Sequence, residues 1–247
     1  MATPTQNAVL GLTFMLLATV FWSGLDISAK TLIDLKGFPA IFVIWIRLAG
    51  GVVASYFVGV IIDGRWDVWR INRPWGQFWR SFFMMGTTIC NFTALGHLPV
   101  TTTISIFFCA PLILAALSHP LLGEKVGRLR WSAIVVGFIG VLIVMQPWGE
   151  GFSPWMLLSL GSAVFFALMQ LTTRQLAAHD SAGSAVFYTA SVGAVVLLPV
   201  LLLTDGAIVL PSDALSWGLL LLVGSIFGTA GHMFNVLALH YAGPVRV

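Results

Sequence analysis

Asp26 and Lys30 stand four residues apart in the segment FWSGLDISAK, at the end of an apolar run that begins near Ala8. On a helix that spacing places an acid and a base on one face, where they can pair. Ionisable groups inside apolar segments are costly and by default mark function. Two readings fit this pair. It lines a cavity and serves a polar solute or a proton, with burial raising the carboxylate's pKa into a titrating range. Alternatively, the helix end lies at the lipid headgroups and Lys30 snorkels to them. Arg47, in FVIWIRLAGG, lies about ten residues into the next apolar segment. Arginine stays protonated and has no acceptor, so it needs one: Asp26, a backbone carbonyl or an anionic group on a ligand. Asn91 and Asn235 are donors for a cavity or interhelical glue, and His232 precedes Asn235 by one helical turn. Pro111 interrupts a fourth apolar segment, where proline frees a carbonyl and bends a helix.

The chemistry that is missing narrows the classes. No HExxH, GxSxG, P-loop or GxGxxG motif stands in a suitable context. An enzyme would have only Asp26 and scattered histidines to work with, so no catalytic residue, cofactor or metal site is expected. Cys90 and Cys109 lie in apolar segments and read as small buried side chains. Gly50 and Gly51 read as close helix packing rather than a phosphate loop.

The elements that must position these groups follow from composition. The chain has 247 residues, 58% hydrophobic and only 9% charged, with a mean hydropathy of +0.96. A soluble domain carries about 25% charged residues, so lipid must be the main solvent. The apolar runs are about 20 residues long, enough to cross about 30 Å of hydrocarbon as helices, and the alternating segments of a barrel are absent. The expected fold is an all-α integral membrane bundle of eight spans, near 8–32, 38–62, 76–96, 100–121, 130–147, 154–176, 183–204 and 214–240. A basic pI of 9.2 reflects short basic loops, and nucleic acid is not an expected partner. Eight cations (Arg65, Arg70, Arg73, Arg80, Lys125, Arg128, Arg130, Arg174) fall on one side and two (Lys30, Lys36) on the other. The positive-inside rule then puts the N-terminus in the cytoplasm. Without a basic n-region or cleavage site, a signal peptide is not expected.

A shift of 144 residues lays VFWSGLDISAKTL over VFFALMQLTTRQL and NFTAL over NVLAL, pairing Asn91 with Asn235 and Asp26 with Gln170. A five-span unit is odd, so its second copy inserts upside down. Such inverted repeats are a transporter architecture with the site near mid-membrane. The predicted domains are a first repeat at 1–147 and an incomplete second repeat at 154–247. Val247 aligns with Thr103, and a full second copy would add 43 residues matching Ile104 to Gln146. The expectation is a truncated fragment, a frame-shifted gene or a natural eight-span form.

The order of motifs resembles the EamA family of the drug/metabolite transporter superfamily. FWSGLDISAK opens the repeat, IWIRLAGG carries the arginine, ALGHLPVTTT follows, APLILAALSHPLLGEK ends the fourth span and WSAIVVGFIGVLIV forms the fifth. The resemblance implies ten spans in two inverted repeats, secondary transport of small metabolites, and a cavity lined by the third, fourth, eighth and ninth spans. Carried onto this sequence, it implies Asn91, Thr101, Thr102 and Pro111 in the first half and His232 and Asn235 in the second. The charged pair and arginine are similar to subgroups associated with riboflavin or S-adenosylmethionine uptake. The departure is the missing ninth and tenth spans, which would leave one cavity wall open.

The expected function is therefore a secondary transporter of a small polar metabolite, multi-pass in the cytoplasmic (inner) membrane, working by alternating access. Its partners are the solute and the bilayer, with proton coupling through Asp26 as a subsidiary expectation and a homodimer left open. The alternatives are a truncated non-transporting membrane protein or assembly partner and, least favoured, a membrane-embedded enzyme.

Overall fold

A computed structural model describes residues 8–122, 127–146, 148–149, 151–177 and 179–242. Helices account for about four fifths of them, and no strand occurs among the described residues. In chain order they are α1 (Ala8–Lys30), which continues as a π-helical turn (Thr31–Leu35), α2 (Ala40–Asp63), α3 (Pro74–Leu95), α4 (Val100–Phe107), α5 (Cys109–Leu122), α6 (Arg128–Met145), α7 (Trp155–Leu176), α8 (Ala182–Leu203), α9 (Ala214–Leu221), a second π-helical stretch (Leu222–Phe227) and α10 (Gly228–Ala242). The basic-loop residue Lys125 and the chain end aligned with Thr103 lie outside the described residues.

Local chemistry sets several boundaries. Pro39 precedes α2, and Gly64 ends it with a left-handed φ of 64°, its N–H donating to the Val60 carbonyl. That conformation carries no Cβ penalty for glycine. Ser181 caps α8 by accepting from the Ser184 N–H. Pro111 has no N–H to offer the Phe107 carbonyl four residues back, and α4 ends at Phe107 with α5 restarting at Cys109.

Six segments among the described residues are long and apolar enough to cross a membrane by length and composition, including Val9–Leu35, Ala40–Asp63 and Ala214–Leu239. The apolar part of α6 is shorter, Trp131–Met145, and α3 carries Gln77, Arg80, Ser81, Thr87, Thr88 and Asn91 along its length. The outward faces are greasy: α1 exposes Val9, Leu12, Leu16, Val20 and Ile27, and α2 exposes Val53, Phe57 and Ile61. Their spacing of three, four or seven residues keeps them on one apolar stripe of each helix, which suits lipid rather than water.

The helices gather into two compact units, one from 8–82 with 172–242 and the other from 83–171. In the first, α2 crosses α8 on small residues. Gly51, Ser55 and Gly59 share one buried face of α2. A Cβ on Gly59 would lie 3.2 Å from the Gly183 Cα, and one on Gly183 2.7 Å from the Gly59 Cα, a small-xxx-small contact. Gly50 packs on the second π-helical stretch, where an added Cβ would sit 2.8 Å from the Gly224 carbonyl. α1 and α10 interleave rings instead, with Phe21 to Phe234 at 5.5 Å and Phe14 to Tyr241 at 5.7 Å between centroids. In the second unit, Ala94, Ile106, Ala110, Val141, Ala163 and Ala167 form the heart of the core, and Phe107 packs on Phe166 at 5.1 Å.

Candidate functional site

The first unit brings together three of the charged and polar residues singled out by sequence. Arg47 is 5% exposed and His232 7%, and Arg47 Nη2 lies 2.8 Å from His232 Nε2. Arginine can only donate, so Nε2 accepts and the imidazole in this contact is neutral, with its proton on Nδ1. Asp26 couples electrostatically to Arg47. Trp22 closes the other side of the imidazole, its ring centroid 5.5 Å away. Trp22 has room there because position 231 is glycine: a Cβ would meet the indole at 2.7 Å. The second π-helical stretch ends at Phe227, just before the turn that bears His232. π-Bulges of this kind concentrate at functional sites. Asn235, one turn beyond His232, is fully buried. Lys30 forms an ion pair with Asp34 on the first π-helical turn, a carboxylate not expected in the network.

A second polar cluster in the same unit was not foreseen. Arg80, one of the eight cations assigned to the basic side, lies inside α3 and is 1% exposed. Its Nε donates to Thr173 Oγ1 at 2.8 Å, and Nη1 donates to the Ala185 carbonyl at 2.5 Å and to Thr189 Oγ1. Nearby, Gln77 Nε2 donates to Asp180 Oδ2 at 2.9 Å and the Asn72 N–H to Asp180 Oδ1 at 2.6 Å. Gln77, Arg80, Thr173, Asp180 and Ala185 border a cavity of about 10 Å³, room for a single water. That is too small for a metabolite, and the hydrogen bonds of the cluster brace α3 against α7 and α8. The signal for it was the Gln77–Arg80–Ser81 polar stripe, the feature that makes α3 less apolar than its neighbours.

Two further ties hold loops to helix ends. Asp63 Oδ2 accepts from Ser181 Oγ at 2.6 Å, and Arg65 Nη2 donates to Ser181 Oγ at 3.1 Å. At the opposite end of α2, Lys36 Nζ donates to Asp213 Oδ2 at 2.7 Å. The hydrogen bonds from Lys36 and then Ser216 hold the Asp213 carboxyl below its usual 3.8.

Comparison with known proteins gives the chain's family. The EamA-like transporter family matches residues 9–146 and 153–247. The chain belongs to it. The S-adenosylmethionine uptake transporter of Rickettsia bellii is 33% identical over 131 residues, covering 53% of this chain and 45% of the relative. The riboflavin transporter of Vibrio cholerae is 38% identical over 90 residues, 36% of this chain and 30% of its own. The pseudopaline exporter CntI of Pseudomonas aeruginosa is 30% identical over 160 residues, 64% and 55%. The chain thus spans about half the length of such relatives, or less. A solved crystal structure aligns over 90% of this chain and 78% of its own, with a TM-score of 0.60 at 18% identity, which establishes a shared fold. This EamA-like chain is a multi-pass membrane protein. The remaining residues implied by the resemblance lie in its second unit: Asn91 and Thr102 are half-buried, and Thr101 and Pro111 exposed.

Proposed function

We propose that this EamA-like chain is a secondary transporter that moves a small polar metabolite across the cytoplasmic membrane by alternating access. The observation that carries the reading is the Arg47–His232 contact, 2.8 Å long and buried. It joins a helix of the first predicted repeat to one of the second, in a segment otherwise made for lipid. A permanent cation held there by a neutral imidazole retains donor capacity for an anionic group on a solute. Asp26 balances its charge when no solute is bound. The broken helix formed by α9, its π-helical continuation and α10 is the kind of discontinuous element that builds transporter sites.

The remaining structure of the reading comes from the sequence. Eight spans run in two opposed repeats, 1–147 and 154–247, with the N-terminus in the cytoplasm. Each compact unit draws helices from both repeats, which supports a cavity built jointly by the two. Asn91, Thr101, Thr102 and Pro111 from the first predicted repeat and His232 and Asn235 from the second are the residues assigned to the solute pathway, and Asp26 to proton coupling. The relatives' names point to S-adenosylmethionine and riboflavin as the solutes to try first, with amino-acid-like solutes as the further class.

A thermal-shift screen of the purified full chain against riboflavin, S-adenosylmethionine, amino acids and nucleosides tests this reading. A solute that raises the melting midpoint of the wild type and fails to raise that of His232→Gln supports it. Equal stabilisation of the two, or none by any solute, overturns it.

A further inference from the structure

We infer that the cleft between the α2–α3 loop and the end of α7 is a binding site for the phosphate headgroup of an anionic phospholipid. The cleft has a volume of about 350 Å³ and is lined by Asn72, Arg73, Trp75, Gln175 and His179. It lies wholly within the first unit and is separate from the Arg47–His232 pair.

Charge favours an anion. Arg73 Nη2 lies 3.2 Å from His179 Nε2, so the guanidinium donates one N–H to the imidazole and keeps the rest of its fork for another acceptor. Among the described residues no carboxylate forms an ion pair with Arg73. Asp180, next to His179 in sequence, is buried with both oxygens engaged by the Asn72 N–H and Gln77 Nε2. It therefore points its charge into the protein rather than into the cleft. Arg70, by contrast, is already paired with Asp67 at 3.0 Å.

The shape beside the cleft favours a lipid over a free ion. Trp75, Phe78, Trp79 and Phe82 follow one another on α3 at spacings of three, one and three residues, all exposed. Successive ring centroids lie 6.1, 5.8 and 5.7 Å apart. This aromatic stripe begins at the cleft and runs along the helix toward the apolar layer. Tryptophan at a helix end marks the headgroup level of a bilayer. A phosphate seated on Arg73 and the His179 edge would leave its acyl chain lying on Phe78, Trp79 and Phe82. Basic pockets between membrane helices hold anionic headgroups by this chemistry.

The test uses purified full-length protein in neutral detergent micelles and native mass spectrometry. Dioleoylphosphatidylglycerol, dioleoylphosphatidylcholine and inorganic phosphate are added in turn. Retention of phosphatidylglycerol but not phosphatidylcholine is expected, with Arg73→Gln weakening it roughly fivefold, the worth of one surface arginine. Arg70→Gln should bind as the wild type does. Arg73 is exposed, so its variant keeps the lipid-free melting midpoint, and that measurement separates lost binding from lost folding. Four results overturn the inference: equal retention of the two lipids, displacement of phosphatidylglycerol by millimolar phosphate, unchanged binding in Arg73→Gln, or an equal loss in Arg70→Gln.

Discussion

At the start of α2 the neighbouring loops meet through one ion pair, Lys36 to Asp213, with both side chains partly exposed. At its far end, about 36 Å along the helix, Asp63 and Arg65 engage Ser181. Close by in the same unit, Asp180 holds Asn72 and Gln77, and Arg80 reaches three acceptors on α7 and α8. An exposed pair contributes little, because water screens it and two long side chains must be ordered. A buried guanidinium with neutral acceptors behaves differently. Opening that end strips a cation of its hydrogen bonds, each worth about 1.5–3 kcal/mol. The Lys36 end therefore parts at much lower cost than the Arg80 end. Arg47 sits between them, about 10 Å from the start of α2 and about 24 Å from its finish.

Substitutions at the braced end should have the largest effect. Arg80→Met removes the donor shared by Thr173 Oγ1, Thr189 Oγ1 and the Ala185 carbonyl and should destabilise the protein by about 3 kcal/mol. A melting midpoint within experimental error of wild type would break the comparison. Next comes the helix crossing beside it. A Cβ on Gly183 would lie 2.4 Å from Asp63 Oδ2, so Gly183→Leu forces α2 and α8 apart and should cost about 2 kcal/mol. Gly218→Leu, where a Cβ meets open space, is the matched control and should change little. The smallest effect belongs to Lys36→Gln, for which a slight drop in midpoint, well below that of Gly183→Leu, is expected at neutral pH.

Acid sharpens the same contrast. Folding lowers the Asp213 pKa, so its contribution is present above the unfolded value near 3.8 and is lost as pH falls below it. Wild-type stability should therefore decline slightly more than that of Lys36→Gln on going from pH 5 to pH 3. Identical declines would remove Asp213 from the account.

Much of the fold was legible in the sequence. The second apolar segment was placed at 38–62 and the helix runs Ala40–Asp63, because apolar length and the flanking Pro39 and Gly64 act locally. Pro111 marked the break between α4 and α5 for the same reason. The π-helical segments left no trace, since an inserted residue in a helix does not disturb an apolar run. Arg47 was marked as needing an acceptor, but its partner lies 185 residues away, and no spacing rule spans that distance. Arg80 counts in the sequence only as a cation of the basic side, because Thr173 and Thr189, its acceptors, look like ordinary helix hydroxyls until α3, α7 and α8 come together.

The most direct test of the central claim is the affinity of Arg47→Lys for the solute selected by screening, measured by titration calorimetry beside wild type and Arg80→Lys. Lysine keeps the charge at position 47 but loses the planar fork that reaches His232. The account predicts affinity at least about tenfold weaker for Arg47→Lys, a difference of about 1.4 kcal/mol, and near wild-type affinity with reduced stability for Arg80→Lys. Wild-type affinity in Arg47→Lys would contradict it.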